Sequence, residues 1–233
     1  MSVILNIETS SQICSVAVSI DGQIEFHIES EEPMMHAKLL GLYVEKALAD
    51  VARRELKLDA VAVSLGPGSY TGLRIGLSMA KGLAYSQNIP LIGIPTLELL
   101  AVKGMFGLHE SEGDELLIPM IDARRMEVYT AVYDTGLNPI VEPTPLILDS
   151  HSYTELPADK KKVFVGDGVD KAKGVLNVEN AVFLSSFMPT AMDMAALAER
   201  AIRKSQYIDV AYSTPIYLKE YQATTPKNKV LSM

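Results

Sequence analysis

The chain opens on runs in which apolar and polar residues alternate, the period of strands with one buried face. "VILNIETSS" and "CSVAVSIDGQIEFHIES" read as strands, and Asp21-Gly22 between apolar alternations marks a hairpin turn, because Asp-Gly tolerates the positive φ angles such turns need. From residue 36 the period changes: "HAKLLGLYVEKALADVARR" (36–54) repeats every three to four residues, as a helix does. "LDAVAVSL" then supplies a short, continuously apolar strand suited to burial on both faces. A second helix is predicted from Thr71 to Ser86, and "IPLIGIP" returns as a strand. The order is βββαβα with a closing strand.

A similar order begins again further along. "ELLIPMIDA", "MEVYTAVYD" and "PLILDS" are predicted strands, with a turn-rich "TGLNP" at 135–139 before the last. "KKVFVGDGVD" reads as a strand ending in a Gly-Asp-Gly turn, and 190–205 as an amphipathic helix with Thr190 as its cap. The Gly- and Glu-containing segment 103–115 separates the halves, which divides the chain into a lobe at 1–103, a smaller lobe at 104–223 and a tail at 224–233.

On a helical wheel, Leu40, Val44, Ala47, Leu48 and Val51 of the first helix share one side, an ordinary core stripe. Met35, Leu39 and Leu42 with the Lys46 stem lie roughly opposite, with Tyr43 at their margin. A surface helix in a monomer needs one apolar stripe, so the second is a candidate partner-binding face, unless the preceding loop or the neighbouring helix covers it. The second helix carries Gly72, Gly76, Ala80 and Ala84 at every fourth position, with Met79 and Leu83 beside them. Glycine inside a helix costs up to about 1 kcal/mol relative to alanine, so two on one stripe imply that something approaches the backbone closely, either a partner or the domain's own sheet. Met79, Leu83 and the small residues Gly72, Gly76 and Ala80 complete the predicted docking face.

Composition narrows the function. The 233 residues are 48% hydrophobic with a net charge of −8, enough for a real core and unfavourable for unaided binding to nucleic-acid phosphates. One cysteine, Cys14, cannot form an internal disulfide, and no basic segment leads into an apolar targeting stretch or membrane span. A soluble cytoplasmic protein is expected. The loop "GPGSYTGLRIG" (66–76) would free backbone amides at a helix N-terminus, where an anion is favoured. It lacks the Lys-Ser/Thr of a phosphate-binding G-x-x-x-x-G-K-[ST] loop, however, and Ser69 as cap with Pro67 in the turn explains the same residues without a ligand.

"ILNIETSSQICSVAVSIDG", His36, "GPGSYTGLRIG", "IPLIGIPTL", "IDARRMEVYTAVY" and "PIYLKE", in this order, resemble the TsaB (YeaZ) family of tRNA threonylcarbamoyladenosine biosynthesis. The resemblance implies an α/β, actin-like (ASKHA, ribonuclease H-like) two-lobed fold with mixed βββαβα sheets. It also implies a non-catalytic subunit that pairs through its first two helices with a TsaD-like transferase acting at position 37 of tRNAs reading ANN codons, with a TsaE-like ATPase joining the assembly. Alone, such a chain is expected to form a homodimer through the same helices. No cofactor is expected in the isolated chain; the joint interface of the complex is left open as a site for ATP or ADP, and tRNA is expected to be met only through the complex. Where TsaD carries H-x-x-x-H, this chain reads His36 to Leu40, so the second metal-binding imidazole is missing; and Glu8 stands where many members have aspartate. The alternative is a stand-alone actin-like protein that binds or hydrolyses ATP; a peptidase lacks a nucleophile with a base.

Other constellations read as structural. Asp122 beside Arg124 and Arg125 forms either a salt-bridged turn or a contact with a partner or nucleotide; Asp167 and Asp170 read as turn residues; Cys14 fills a strand; His27, His109 and His151 are expected at the surface.

Overall fold

The computed structural model describes residues 1–30, 32, 35–108 and 113–219. The first half forms strands β1 (Val3–Glu8), β2 (Cys14–Ile20) and β3 (Gln23–Ser30), helix α1 (His36–Arg53), strand β4 (Ala60–Gly66), helix α2 (Tyr70–Gln87), strand β5 (Leu91–Pro95) and helix α3 (Thr96–Phe106). The second half continues with β6 (Leu116–Asp122), β7 (Glu127–Tyr133), β8 (Pro139–Ile147), β9 (Lys162–Gly166), α4 (Val169–Lys173), β10 (Ala181–Ser185), a 3-10 turn at Ala191–Met194 and α5 (Ala195–Arg203).

The two sheets have one plan. The first is ordered β5-β4-β1-β2-β3 and the second β10-β9-β6-β7-β8. In each, the opening strand pairs antiparallel with the next and parallel with the strand that returns after a crossover. Even the turn after that returning strand repeats: Gly66-Pro67-Gly68 follows β4 and Gly166-Asp167-Gly168 follows β9, with φ of +110° at Gly66 and +125° at Gly166. What shrinks in the second copy is the helical cover: the segment matching α2 is the five-residue α4, and turns occupy the place of α1.

Period-two alternation sorts the first sheet's side chains. Val3, Leu5 and Ile7 of β1, with Val61, Val63 and Leu65 of β4, pack against Leu40, Val44, Ala47 and Val51 of α1 and Leu77, Ala80 and Ala84 of α2. Ile4, Ala60, Ala62, Ile92 and Ile94 point to the other face, onto Leu99 and Val102 of α3 and Leu197, Ala198 and Ala201 of α5. Leu97 and Ala101 of α3 also reach Leu117, Ala131 and Val163 of the second sheet. Burying a side chain of this size contributes roughly 1.5–3 kcal/mol, so α3 is the main apolar joint of the two halves.

Some expectations needed revision. Helix α3 was not anticipated: both sheets bury its apolar residues on opposite sides, and its two charged residues, Glu98 and Lys103, pair with Arg200 and Asp193, so no continuous polar face marks a helical period. The amphipathic stretch at 190–205 is split. Its first turn is 3-10, capped reciprocally by Thr190 and Asp193, and the α-helix begins at Ala195. Strand β10 went unpredicted, and β8 starts at Pro139, ahead of the expected "PLILDS". His109 and the tail from 224 lie outside the described residues.

Candidate interaction site on the outer helices

Helix α2 is started by its sequence. The Ser69 hydroxyl accepts a hydrogen bond from the Gly72 amide, and Asn88 in the left-handed region ends the helix. The Ser69 amide donates to the Ser10 carbonyl at 2.7 Å, so the loop is tied to the end of β1. The glycines of the 66–76 loop are spent on the same approach: a Cβ on Gly68 would overlap Ser10, one on Gly72 the Thr9 carbonyl, and one on Gly76 the Thr9 hydroxyl. The cradle is filled by the chain itself. It does not fit a phosphate at these glycines, and this loop is a packing device.

That contact corrects the orientation expected for the small-residue stripe. Gly72, Gly76 and Ala80 point inward, Ala80 with no exposed surface, and they present nothing to a partner. Tyr43 likewise turns into the core beneath α1. Leu39 and Met35 are half-buried, Leu39 against the core cluster, whereas Leu42 (45% exposed) and Lys46 face outward. Met79 and Leu83 lie at the edge of the core and line an open groove.

The groove has a volume of about 790 Å³ and runs along α2 beside α1. Ala37 of α1 forms one edge; Tyr70, Thr71, Arg74, Ile75, Ser78, Met79, Gly82 and Leu83 of α2 form the rest. Arg74 lies over the Tyr70 ring, 4.0 Å from its centroid, and donates through Nε to the Tyr217 hydroxyl at 3.0 Å, so the end of the described chain closes one side. Ala37, Tyr70, Thr71, Arg74, Ile75, Ser78 and Gly82 were missed as site residues. One signal was available: Gly41 and Gly82 are exposed mid-helix glycines whose missing Cβ would meet nothing within 4 Å. Packing within the chain does not require either, although each costs about 1 kcal/mol relative to alanine.

At the end of β1, Glu8 is fully buried, and burial raises its carboxyl to about 7. One oxygen accepts from the Ser10 amide and the other has no hydrogen-bond partner, while Asp193, held 2.8 Å from Lys103, adds its charge to the upward shift. Burial also pushes the Cys14 thiol up to about 11, which suits a strand filler. His36 is buried at the start of α1, and among the described residues no group of three His, Cys, Asp or Glu side chains converges as a metal site would require. His27 is half-buried 3.2 Å from Glu29, not free at the surface as expected, whereas His151 is exposed.

The corresponding end of β6 differs from the expected salt-bridged turn. Asp122 pairs with Lys171 of α4 at 2.8 Å, not with an arginine, and accepts from the Arg124 amide at 2.6 Å. Lys171 also donates to the carbonyls of Arg125 at 2.8 Å and Glu127 at 2.7 Å, and the Asp122 amide donates to Asp167. Asp167 is half-buried, which raises its carboxyl above the usual range, while Asp170 pairs with Lys173 outside. Arg124 and Arg125 both adopt positive φ, +70° and +51°, which costs about 1–2 kcal/mol per residue.

Two copies of one five-stranded sheet, joined by a shared helix and clad by long outer helices on the first copy and by the short α4 on the second, define a two-lobed actin-like α/β protein. The family model described as TsaD, tRNA N6-adenosine threonylcarbamoyltransferase, matches residues 33–226. The tRNA threonylcarbamoyladenosine biosynthesis protein TsaB of Escherichia coli is 30% identical over 93% of this chain and 94% of its own length, and that of Bacillus subtilis is 30% identical over 81% and 80%. A solved structure of YeaZ from Pseudomonas aeruginosa superposes with a TM-score of 0.78 at 25% identity, covering 94% of this chain and all of that one. The chain belongs to the TsaB (YeaZ) family.

Proposed function

We propose that this chain is a non-catalytic subunit in threonylcarbamoyladenosine modification of tRNA, docking on a TsaD-like transferase through the outer faces of α1 and α2. The observation that carries the reading is the open groove along α2 beside α1, lined by Ile75, Met79 and Leu83, on a surface where α1 also exposes Leu42. Its apolar edges suit a helical partner, and Gly41 and Gly82 remove side chains where a second backbone would approach. The relatives that match along nearly the whole chain are named for this biosynthesis, which supports the same reading.

A TsaE-like ATPase would join that assembly, and any ATP or ADP would be held at the joint surface, since the glycine loop of this chain is filled by Thr9 and Ser10. Without its partner, the chain would cover the same groove with a second copy of itself. The test is co-elution with a TsaD-like subunit, followed by threonylcarbamoylation of a tRNA transcript with and without this chain. Full activity of the transferase alone, or failure to co-elute, overturns the proposal. The competing reading, a stand-alone actin-like ATPase, predicts calorimetric binding of ATP by the isolated chain.

A further inference from the structure

The β6–β7 turn carries side chains its backbone does not call for. Positive φ is ordinarily left to Gly, Asn or Asp, and the two-residue β2–β3 hairpin loop of this same chain follows the rule with Asp21 at +49° and Gly22 at +81°. The β6–β7 turn places Arg124 and Arg125 in such conformations, both exposed. Five of the seven arginines close a contact with the chain itself: Arg53 and Arg54 with Asp50, Arg74 with Tyr217, Arg200 with Glu98 and Arg203 with Glu199. Among the described residues, the guanidinium groups of Arg124 and Arg125 have no such partner.

The surroundings keep them free. Nearby carboxylates are already neutralised, Asp122 by Lys171, Glu127 by Lys219 and Asp170 by Lys173. Lys171 clasps the turn from below through two carbonyls as well as Asp122, so the backbone is held while both side chains project. Two adjacent like charges on a pinned turn repel each other, and a polyanion relieves that repulsion.

We propose that the Arg124–Arg125 turn is a phosphodiester contact through which this subunit grips the tRNA of its assembly. The ligand class follows from the guanidinium fork, which pairs with phosphate oxygens bidentately, and from the substrate that the proposed function supplies, on which this inference rests. The net charge of −8 makes the contact local, a point of registration on RNA held elsewhere in the complex.

The test uses Arg124→Asn with Arg125→Gly, which restores ordinary turn chemistry and so keeps the fold. A fluorescein-labelled unmodified tRNA transcript is titrated with the complex of this chain and a TsaD-like subunit, and with this chain alone. The variant is expected to co-elute with its partner and melt no lower than wild type, to bind tRNA about tenfold more weakly, and to show a salt dependence shallower by roughly 1.4–1.8 in log–log slope, as for two lost phosphate contacts. Arg124→Lys with Arg125→Lys should keep most of the slope. Equal affinity and slope for wild type and variant overturn the proposal, as does loss of partner co-elution in the variant, which would make the turn a protein contact. If wild type itself fails to co-elute, the docking reading falls separately. An arginine-dependent affinity of the chain alone then retains this site, and its absence removes it.

Discussion

The Thr9 hydroxyl donates a 2.9 Å hydrogen bond to the carbonyl of Gly72, one turn into α2. This contact draws the first turns of α2 against the end of β1 and fills the space of the missing side chains at Gly72 and Gly76. It therefore decides which side of α2 looks outward.

Alanine should act oppositely at two classes of helical glycine. Gly72→Ala and Gly76→Ala force Thr9 aside and should destabilise by about 1–3 kcal/mol or more, the cost of overpacking. Gly41→Ala and Gly82→Ala meet open space and should stabilise by up to about 1 kcal/mol each. Urea denaturation of the four variants checks this, and destabilisation by Gly82→Ala would contradict the orientation described.

Charge on the outer face should separate docking from folding. Leu42→Glu and Ser78→Glu fall at exposed positions and should change stability by no more than about 0.5 kcal/mol, yet weaken association with a TsaD-like subunit at least tenfold. Ala80→Glu, by contrast, buries a charge in the core and should prevent folding, so its loss of binding would say nothing about the interface. Calorimetry of binding paired with thermal melts checks both.

Glu8 should make the fold less stable as pH rises. Its carboxyl titrates near 7 when folded against an ordinary 4.5 in the unfolded chain, so between these values the native state holds the extra proton. Each tenfold difference in proton affinity between the two states is worth about 1.36 kcal/mol, so the stability lost from acidic pH to pH 8 approaches about 3 kcal/mol. Glu8→Gln should abolish that decline and be more stable than wild type at pH 8 while differing little at pH 5. A parallel pH dependence in both proteins would remove Glu8 as its source.

The clasp on the β6–β7 turn is testable apart from any ligand. Lys171→Met leaves Asp122 and two carbonyls without their shared donor and should destabilise by about 1–3 kcal/mol. Amide exchange should quicken most at Arg124, whose N–H is held by Asp122. Uniform exchange across the second lobe would show that the turn does not depend on Lys171.

Local order determined the element sequence. Alternation set β1 to β3, helical period set α1 and α2 to within a residue or so, and Ser69 capped α2 as its hydroxyl predicts. Periodicity measures the angle between residues but not the direction in which an element faces. With small residues on one side of α2 and Met79 and Leu83 alongside, either orientation satisfied the pattern, and only the seat of Thr9 against Gly72 and Gly76 chose between them. The same holds for Asp122, whose sequence neighbours are arginines but whose partner, Lys171, arrives from α4, 49 residues away. Helix α3 was hidden for a related reason: Leu99 and Val102 meet one sheet and Leu97 and Ala101 the other, so its apolar residues form no single stripe. Spacing along a chain specifies which residues share a face, whereas the choice of what that face meets belongs to contacts between distant segments.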